Sequence, residues 1–290
     1  MGATGEGVTR RGLVLGGGGV AGIAWELGIL TGLADAGVDV TNADRFVGTS
    51  AGSAVAAQVT SGRPLTELFD LQVSADGTSH EITVDFDPEK MAAELMPLVS
   101  GLRPGREMRR VIGGYALSAQ TVSEATRRQV IEARLPTHAW PDADADVRIV
   151  AVDAETGETR VFTGDDDVSL VDAVAASCSV PGVWPPVTIG GRRYTDGGMR
   201  SGANVDLALG CDVVVVVQPM DEWPRLAPEV QAGLDELMRT AKLLRIRPDD
   251  ASLAAMGSNA LDPASARPSA LAGRAQAAAV AADVRALWAG

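Results

Sequence analysis

Four consecutive glycines follow a short apolar run and lead straight into a helical pattern in "GLVLGGGGVAGIAWELGIL", residues 12–30. Each glycine costs backbone entropy on folding, so a run of them persists only where bare backbone is needed. An apolar strand, a glycine turn and a buried helix together call for an α/β unit built on a parallel sheet. Ile23, Trp25, Leu27, Ile29, Leu30 and Leu33 recur at mixed helical spacings, as in a helix buried on most sides, and Gly37 is placed to end it. Bare amides at such a turn suit an anion, either a phosphate or the oxyanion of a reacting ester.

The chain continues the alternation. Short strands are expected at 44–48, at 146–164 (two strands around a turn at Glu155–Gly157), at 186–198 (a hairpin turning at Gly190–Gly191), at 211–219 and at 242–249. The 211–219 run, "CDVVVVVQP", is apolar enough to be a central parallel strand. Helices are expected at 50–62, 169–179 and 226–241. Residues 63–145 carry prolines at 64, 88, 97, 104, 136 and 141 and no strong strand signal. They read as a helical cap inserted in the domain, with short helices at 64–73, 88–99, 104–117 and 121–133. Residues 1–9 read as a loose leader, 250–271 as loop, and 272–289 as an alanine-rich helix. The expected organisation is one α/β domain over 11–249 and a C-terminal extension over 250–290.

A formal net charge of -13 gives the chain no overall field for nucleic acid. It also opposes constant adhesion to an anionic membrane, while leaving transient interfacial contact through an apolar patch open. Cys178 and Cys211 have no CxxC partners and read as buried thiols in a reducing compartment. No apolar run is long enough for a secretory or membrane-spanning segment, so a cytoplasmic protein is expected. "PDADADV", 141–147, spaces acids like the start of an EF-hand but lacks the loop's glycine and final glutamate. No metal and no cofactor are expected.

Two readings of the glycine loop compete. "GGGVAG", 17–22, fits the G-x-G-x-x-G of a dinucleotide site. That site also needs an acid at the end of the second strand, and Asp39 and Asp44 fall at or before its start. The other reading begins at "VGTSAG", where Gly48, Thr49, Ser50, Ala51 and Gly52 form a G-x-S-x-G elbow between a strand and a helix of small residues. A serine nucleophile needs a base. The only histidines, His80 and His138, lie in loop-like segments and fit none of the familiar triad orders. An aspartate in a partly desolvated site can serve instead. Asp196 in "YTDGG", followed by Gly197 and Gly198, ends a strand and is the best candidate.

With a glycine loop, a serine elbow and a late D-G-G in that order, the chain resembles the patatin-like phospholipase family of lipid acyl hydrolases. The resemblance covers roughly residues 11–220 and includes "LVLGGGGVAG", "VGTSAG", "AASCSVPGVWPPV" and "YTDGG". It implies a three-layer α/β/α fold with a mostly parallel central sheet and a helical cap. It also implies Ser50 as nucleophile, Asp196 as its partner in a Ser–Asp dyad, and Gly17, Gly18 and Gly19 as the oxyanion hole, with Gly22 closing the loop motif. The substrate class would be a lipid or other acyl ester. One departure is Ala21, where the family carries Arg or Lys. The cation that would orient the loop or meet a phosphate head group is absent there, which leaves simple acyl esters and neutral lipids open. A catalytically weak lipid-binding protein on the same fold is the non-enzyme alternative. Oligomeric state is not readable from the sequence.

Overall fold

The structure, a computed structural model, describes residues 9–74, 80–142, 144–221 and 226–289. The leader read at residues 1–9 lies almost wholly outside the described residues. Strands are β1 (Arg11–Leu15), β2 (Arg45–Thr49), β3 (Asp146–Asp153), β4 (Thr159–Phe162), β5 (Val187–Ile189), β6 (Arg192–Asp196), β7 (Val213–Val217) and β8 (Lys242–Ile246). Helices are α1 (Gly19–Asp35), α2 (Ala51–Val59), α3 (Leu65–Val73), α4 (Pro88–Val99), α5 (Arg106–Ser118), α6 (Glu124–Arg134), α7 (Leu170–Ser177), α8 (Pro228–Thr240), α9 (Asp250–Met256) and α10 (Ala266–Trp288).

The sheet runs β5–β6–β3–β2–β1–β7–β8, with β4 paired to β3 off this path. β3, β2, β1, β7 and β8 are parallel; β4, β5 and β6 pair antiparallel. Alternation along the strands divides the core. Leu13, Leu15, Val213, Val215 and Val217 pack with α1, α2 and α10 on one face. Val14, Val214 and Val216 face Val205, Ala208 and Leu237 of the other layer. The result is a three-layer α/β/α fold on a mostly parallel sheet. β7, with five buried valines between β1 and β8, is the central parallel strand its composition calls for.

Register on β3 decides where the site forms. β2 pairs with β3 up to Thr49, opposite Val150. β6 arrives from the other direction and ends at Asp196, opposite Ala151. Both lie on one edge, because β4 holds the other edge across residues 149–152 of β3. The ends of β2 and β6 therefore meet head to head, one residue apart along β3, or about 3.3 Å.

Two local readings are corrected. α1 starts at Gly19, not Gly22, so the glycine run supplies its first turn as well as its approach. Residues 250–271 are not loop: α9 occupies 250–256 and α10 begins at Ala266. Asp249 caps α9 by accepting the Ser252 N–H at 2.8 Å. Pro268 falls in the first turn of α10, where its missing N–H has no helical partner to lose.

α10 packs along α1 at unusually short range. A Cβ added at Gly28 would lie 2.3 Å from the Ala270 carbonyl, and one at Gly273 would lie 2.4 Å from the Trp25 carbonyl. Replacing Gly28 by Ala sets a helix-propensity gain of about 1 kcal/mol against a backbone clash. The clash wins: Gly28→Ala is expected to lower stability by about 1–3 kcal/mol in chemical denaturation.

Candidate active site

The turn out of β2 places Ser50 at the start of α2 with φ 52° and ψ -117°, a strained conformation for a residue with a side chain. The surroundings hold it there. The Ser50 N–H donates to Ser177 Oγ at 2.9 Å, and its carbonyl accepts from Ser53 Oγ at 2.6 Å and from the Cys178 thiol at 3.2 Å. Gly48 and Gly52 permit the sharp turn. A Cβ at Gly52 would lie 2.1 Å from the Leu15 carbonyl, and one at Gly48 would lie 2.6 Å from Ser53 Cα. Ala51 is buried at the first turn of α2.

Asp196 ends β6 and is 3% exposed. Its Oδ1 accepts the Gly198 N–H at 2.7 Å, while its Oδ2 is buried with no hydrogen-bond partner. Gly197 packs close under this turn, since a Cβ there would lie 2.3 Å from the Val150 carbonyl. Burial raises the Asp196 pKa to about 7; the Gly198 N–H and the nearby Ser50 hydroxyl pull the other way. The hydroxyl acts here from short of a full hydrogen bond. Asn204, itself at φ 52°, ties the two strand ends together. Its Nδ2 donates to Thr49 Oγ1 at 3.0 Å and to the Ser201 carbonyl at 2.9 Å.

The glycine loop runs past both residues. Gly17 N–H donates to the Gly202 carbonyl at 2.8 Å, and Gly22 N–H to the Gly18 carbonyl at 2.8 Å. Among the described residues, the N–H groups of Gly18 and Gly19 make no hydrogen bond. Beneath the loop, Glu26 Oε1 accepts the Gly16 N–H at 2.8 Å. Burial drives the Glu26 pKa well above its ordinary value, against the Gly16 N–H, so its carboxyl stays protonated over a wider range. Ala21 donates its N–H to the Ala260 carbonyl at 3.0 Å.

Gly17, Gly18, Gly19, Ser50, Asp196 and Gly198 all line one cavity of about 320 Å³. Its remaining wall is largely apolar: Phe86 and Met91 from the region between β2 and β3, Met199 after β6, and Leu261 before α10. No histidine lines it among the described residues. His138 is exposed against the Glu132 carbonyl, and His80 stands 3.3 Å from Glu81. Asp39 and Asp44 sit before β2, bonded to Thr41 and to the Arg11 N–H, away from the glycine loop's anion side. The acid that a dinucleotide ribose needs at the end of β2 is therefore missing. No group of three or more His, Cys, Asp or Glu side chains converges as a metal site among the described residues. Nor is any described helix long and apolar enough to cross a membrane.

Sequence reasoning did not single out Glu26, Ser177 or Asn204. Only Glu26 carried a visible signal, as a lone acid inside the apolar run "AWELGIL". Asp196 also has a measurable consequence. Its raised pKa means the folded state keeps a proton that the unfolded chain releases from about pH 4 upward. That contribution to stability is full below pH 4 and is lost by about pH 7. Asp196→Asn is therefore expected to be more stable than the wild type at pH 8 by a few kcal/mol, with the gap closing toward pH 4 in denaturation curves.

The comparisons with known proteins bear on this arrangement. The structure is similar to that of VipD from Legionella pneumophila, at 14% sequence identity and a TM-score of 0.47, over 95% of this chain and 67% of that one. It is also similar to the type III effector protein ExoU, at 16% identity and a TM-score of 0.37, over 93% of this chain and 53% of that one. This chain thus spans about half the length of ExoU. A model of the patatin-like phospholipase family matches residues 13–209, from β1 past the turn that follows Asp196. Because that match takes in well over half of the sequence, the chain belongs to the patatin-like phospholipase family.

Proposed function

We propose that this lipid ester hydrolase works through a Ser50–Asp196 dyad, with the N–H groups of Gly18 and Gly19 as its oxyanion hole. The observation that carries this reading is Asp196 Oδ2, buried without a partner beside a serine held in a strained elbow. A carboxylate with a pKa of about 7 is matched to taking a proton near neutral pH. Gly17 holds the loop through Gly202 rather than donating to substrate.

Asp196 takes the Ser50 proton as Oγ attacks the ester carbonyl carbon. The tetrahedral oxyanion rests on Gly18 and Gly19, where each donor is worth about 3 kcal/mol in comparable sites. The carbon–oxygen bond to the alcohol breaks, and the leaving alkoxide takes the proton from Asp196. Water then gives a proton to Asp196 and its hydroxide adds to the acyl carbon. Ser50 leaves with that proton, releasing the fatty acid. The apolar walls at Phe86, Met91, Met199 and Leu261 suit the acyl chain. The segment between β2 and β3 acts as a cap by contributing two of those side chains.

Ser50→Ala and Asp196→Asn are each expected to lower ester kcat/KM by at least about 10³-fold while keeping a cooperative thermal transition. A fluorophosphonate probe should label the wild type and not Ser50→Ala; a wild type that resists labelling would contradict the enzyme reading and favour a lipid binder. Because Asp196 must be ionised to act, log kcat/KM should rise with pH and level off near pH 7. A flat profile from pH 5 to 8 would remove Asp196 as the base.

A further inference from the structure

Ser50 borders a second, much smaller cavity, of about 20 Å³, together with Glu81, Arg127, Arg134, Cys178 and Trp184. That is room for one water-sized group. The charges around it do not cancel. Arg134 and Glu81 form a buried fork, with Nη2 at 2.6 Å and 2.8 Å from the two carboxylate oxygens. Burial would raise the Glu81 pKa, but Arg134, His80 and Arg127 hold it at about 2, so it is ionised. Burial raises the Cys178 thiol, which therefore adds no charge.

Arg127 is the unmatched group. It is 5% exposed and its guanidinium lies 3.9 Å over the Trp184 ring. Its Nε and Nη1 are buried and make no hydrogen bond; Nη1 stands 3.8 Å from Glu81 Oε2, with Glu81 already engaged by Arg134. Two guanidiniums face one carboxylate, and the spare donors lie at a cavity that Ser50 borders. Burial and the repulsion of Arg134 pull the Arg127 pKa down to about 10, the sign of a cation short of counter-charge. A buried guanidinium in this state favours an anionic oxygen, which its planar fork binds well.

We propose that this pocket is an anion subsite, in which Arg127 receives one non-bridging phosphate oxygen of the lipid head group while Ser50 attacks the neighbouring acyl ester. The proposal rests on Ser50 being the nucleophile. Pocket size admits one oxygen and leaves the rest of the head group in the larger cavity. A phosphodiester supplies such an oxygen a few bonds from its acyl ester, whereas a neutral glyceride has none. The glycine loop brings no cation of its own, since residues 16–22 are glycine, valine and alanine. The cation comes instead from α6, in the segment between β2 and β3.

The test compares kcat/KM for a 1-acyl lysophosphatidylcholine with that for the 1-monoacylglycerol of the same chain. In Arg127→Met this ratio should fall at least tenfold, and Arg127→Lys should keep more of it. Glu81 stays paired with Arg134 in both variants, so no buried carboxylate is orphaned. A second arm needs only the wild type: glycerophosphocholine should inhibit monoacylglycerol hydrolysis competitively, and glycerol should not. An unchanged ratio in Arg127→Met, or equal inhibition by glycerol, would overturn the subsite. Inorganic phosphate inhibiting as well as glycerophosphocholine, with an unchanged ratio, would assign the pocket to free anions and overturn the head-group role. Hydrolysis that survives Ser50→Ala would instead sink the dyad, a result distinct from an unchanged ratio with activity still dependent on Ser50.

Discussion

Two strands compete for one edge of β3, and the site exists because neither takes all of it. β2 holds the edge as far as Val150, and β6 takes it from Ala151 onward in the opposite direction. Ser50 and Asp196 are the first residue after one strand and the last residue of the other. Their proximity is thus set by backbone hydrogen bonds in the sheet, not by a contact between their side chains. The sheet is the stiffest part of the fold, with β1, β2 and β7 almost wholly buried, so it fixes the pair more firmly than a loop could.

Electrostatics then differ around the serine. Asp196 and Glu26 are carboxyls deprived of water and of cations, and both are pushed toward the neutral form. Glu81, equally deprived of water, is kept ionised by two arginines. Burial is common to all three; the presence of a guanidinium decides the outcome. Ser50 borders both environments, the acid side through the larger cavity and the cationic side through the smaller one.

Local geometry was legible in the sequence and tertiary partnership was not. A turn that needs glycine at 48 and 52, or a strand of consecutive valines, leaves its mark within a few residues. So did the order of glycine loop, serine elbow and D-G-G. The C-terminal segment was misread because short caps at Asp249 and Asp262 outweigh a loop-like composition. Which loop amides stay free depends on the Gly202 carbonyl, far along the chain. Likewise, nothing in "TRRQVIEAR" tells that Arg127 turns inward onto Trp184 while Arg128 bonds Asp172 instead. Those outcomes depend on which elements pack together, and a periodicity carries no record of that.

The wall of the cavity at Ala260 and Leu261, and the α10 helix that follows, come from late in the chain but seat against Gly19, Ala21 and Gly28 near its beginning. Synthesis delivers the nucleophile, the base and the glycine loop well before this wall. A hydrolase of membrane constituents is dangerous to the cell that makes it. Here the ribosome itself acts as a timer: the lipid chamber stays open-sided until residues 260–288 have emerged and α10 has docked.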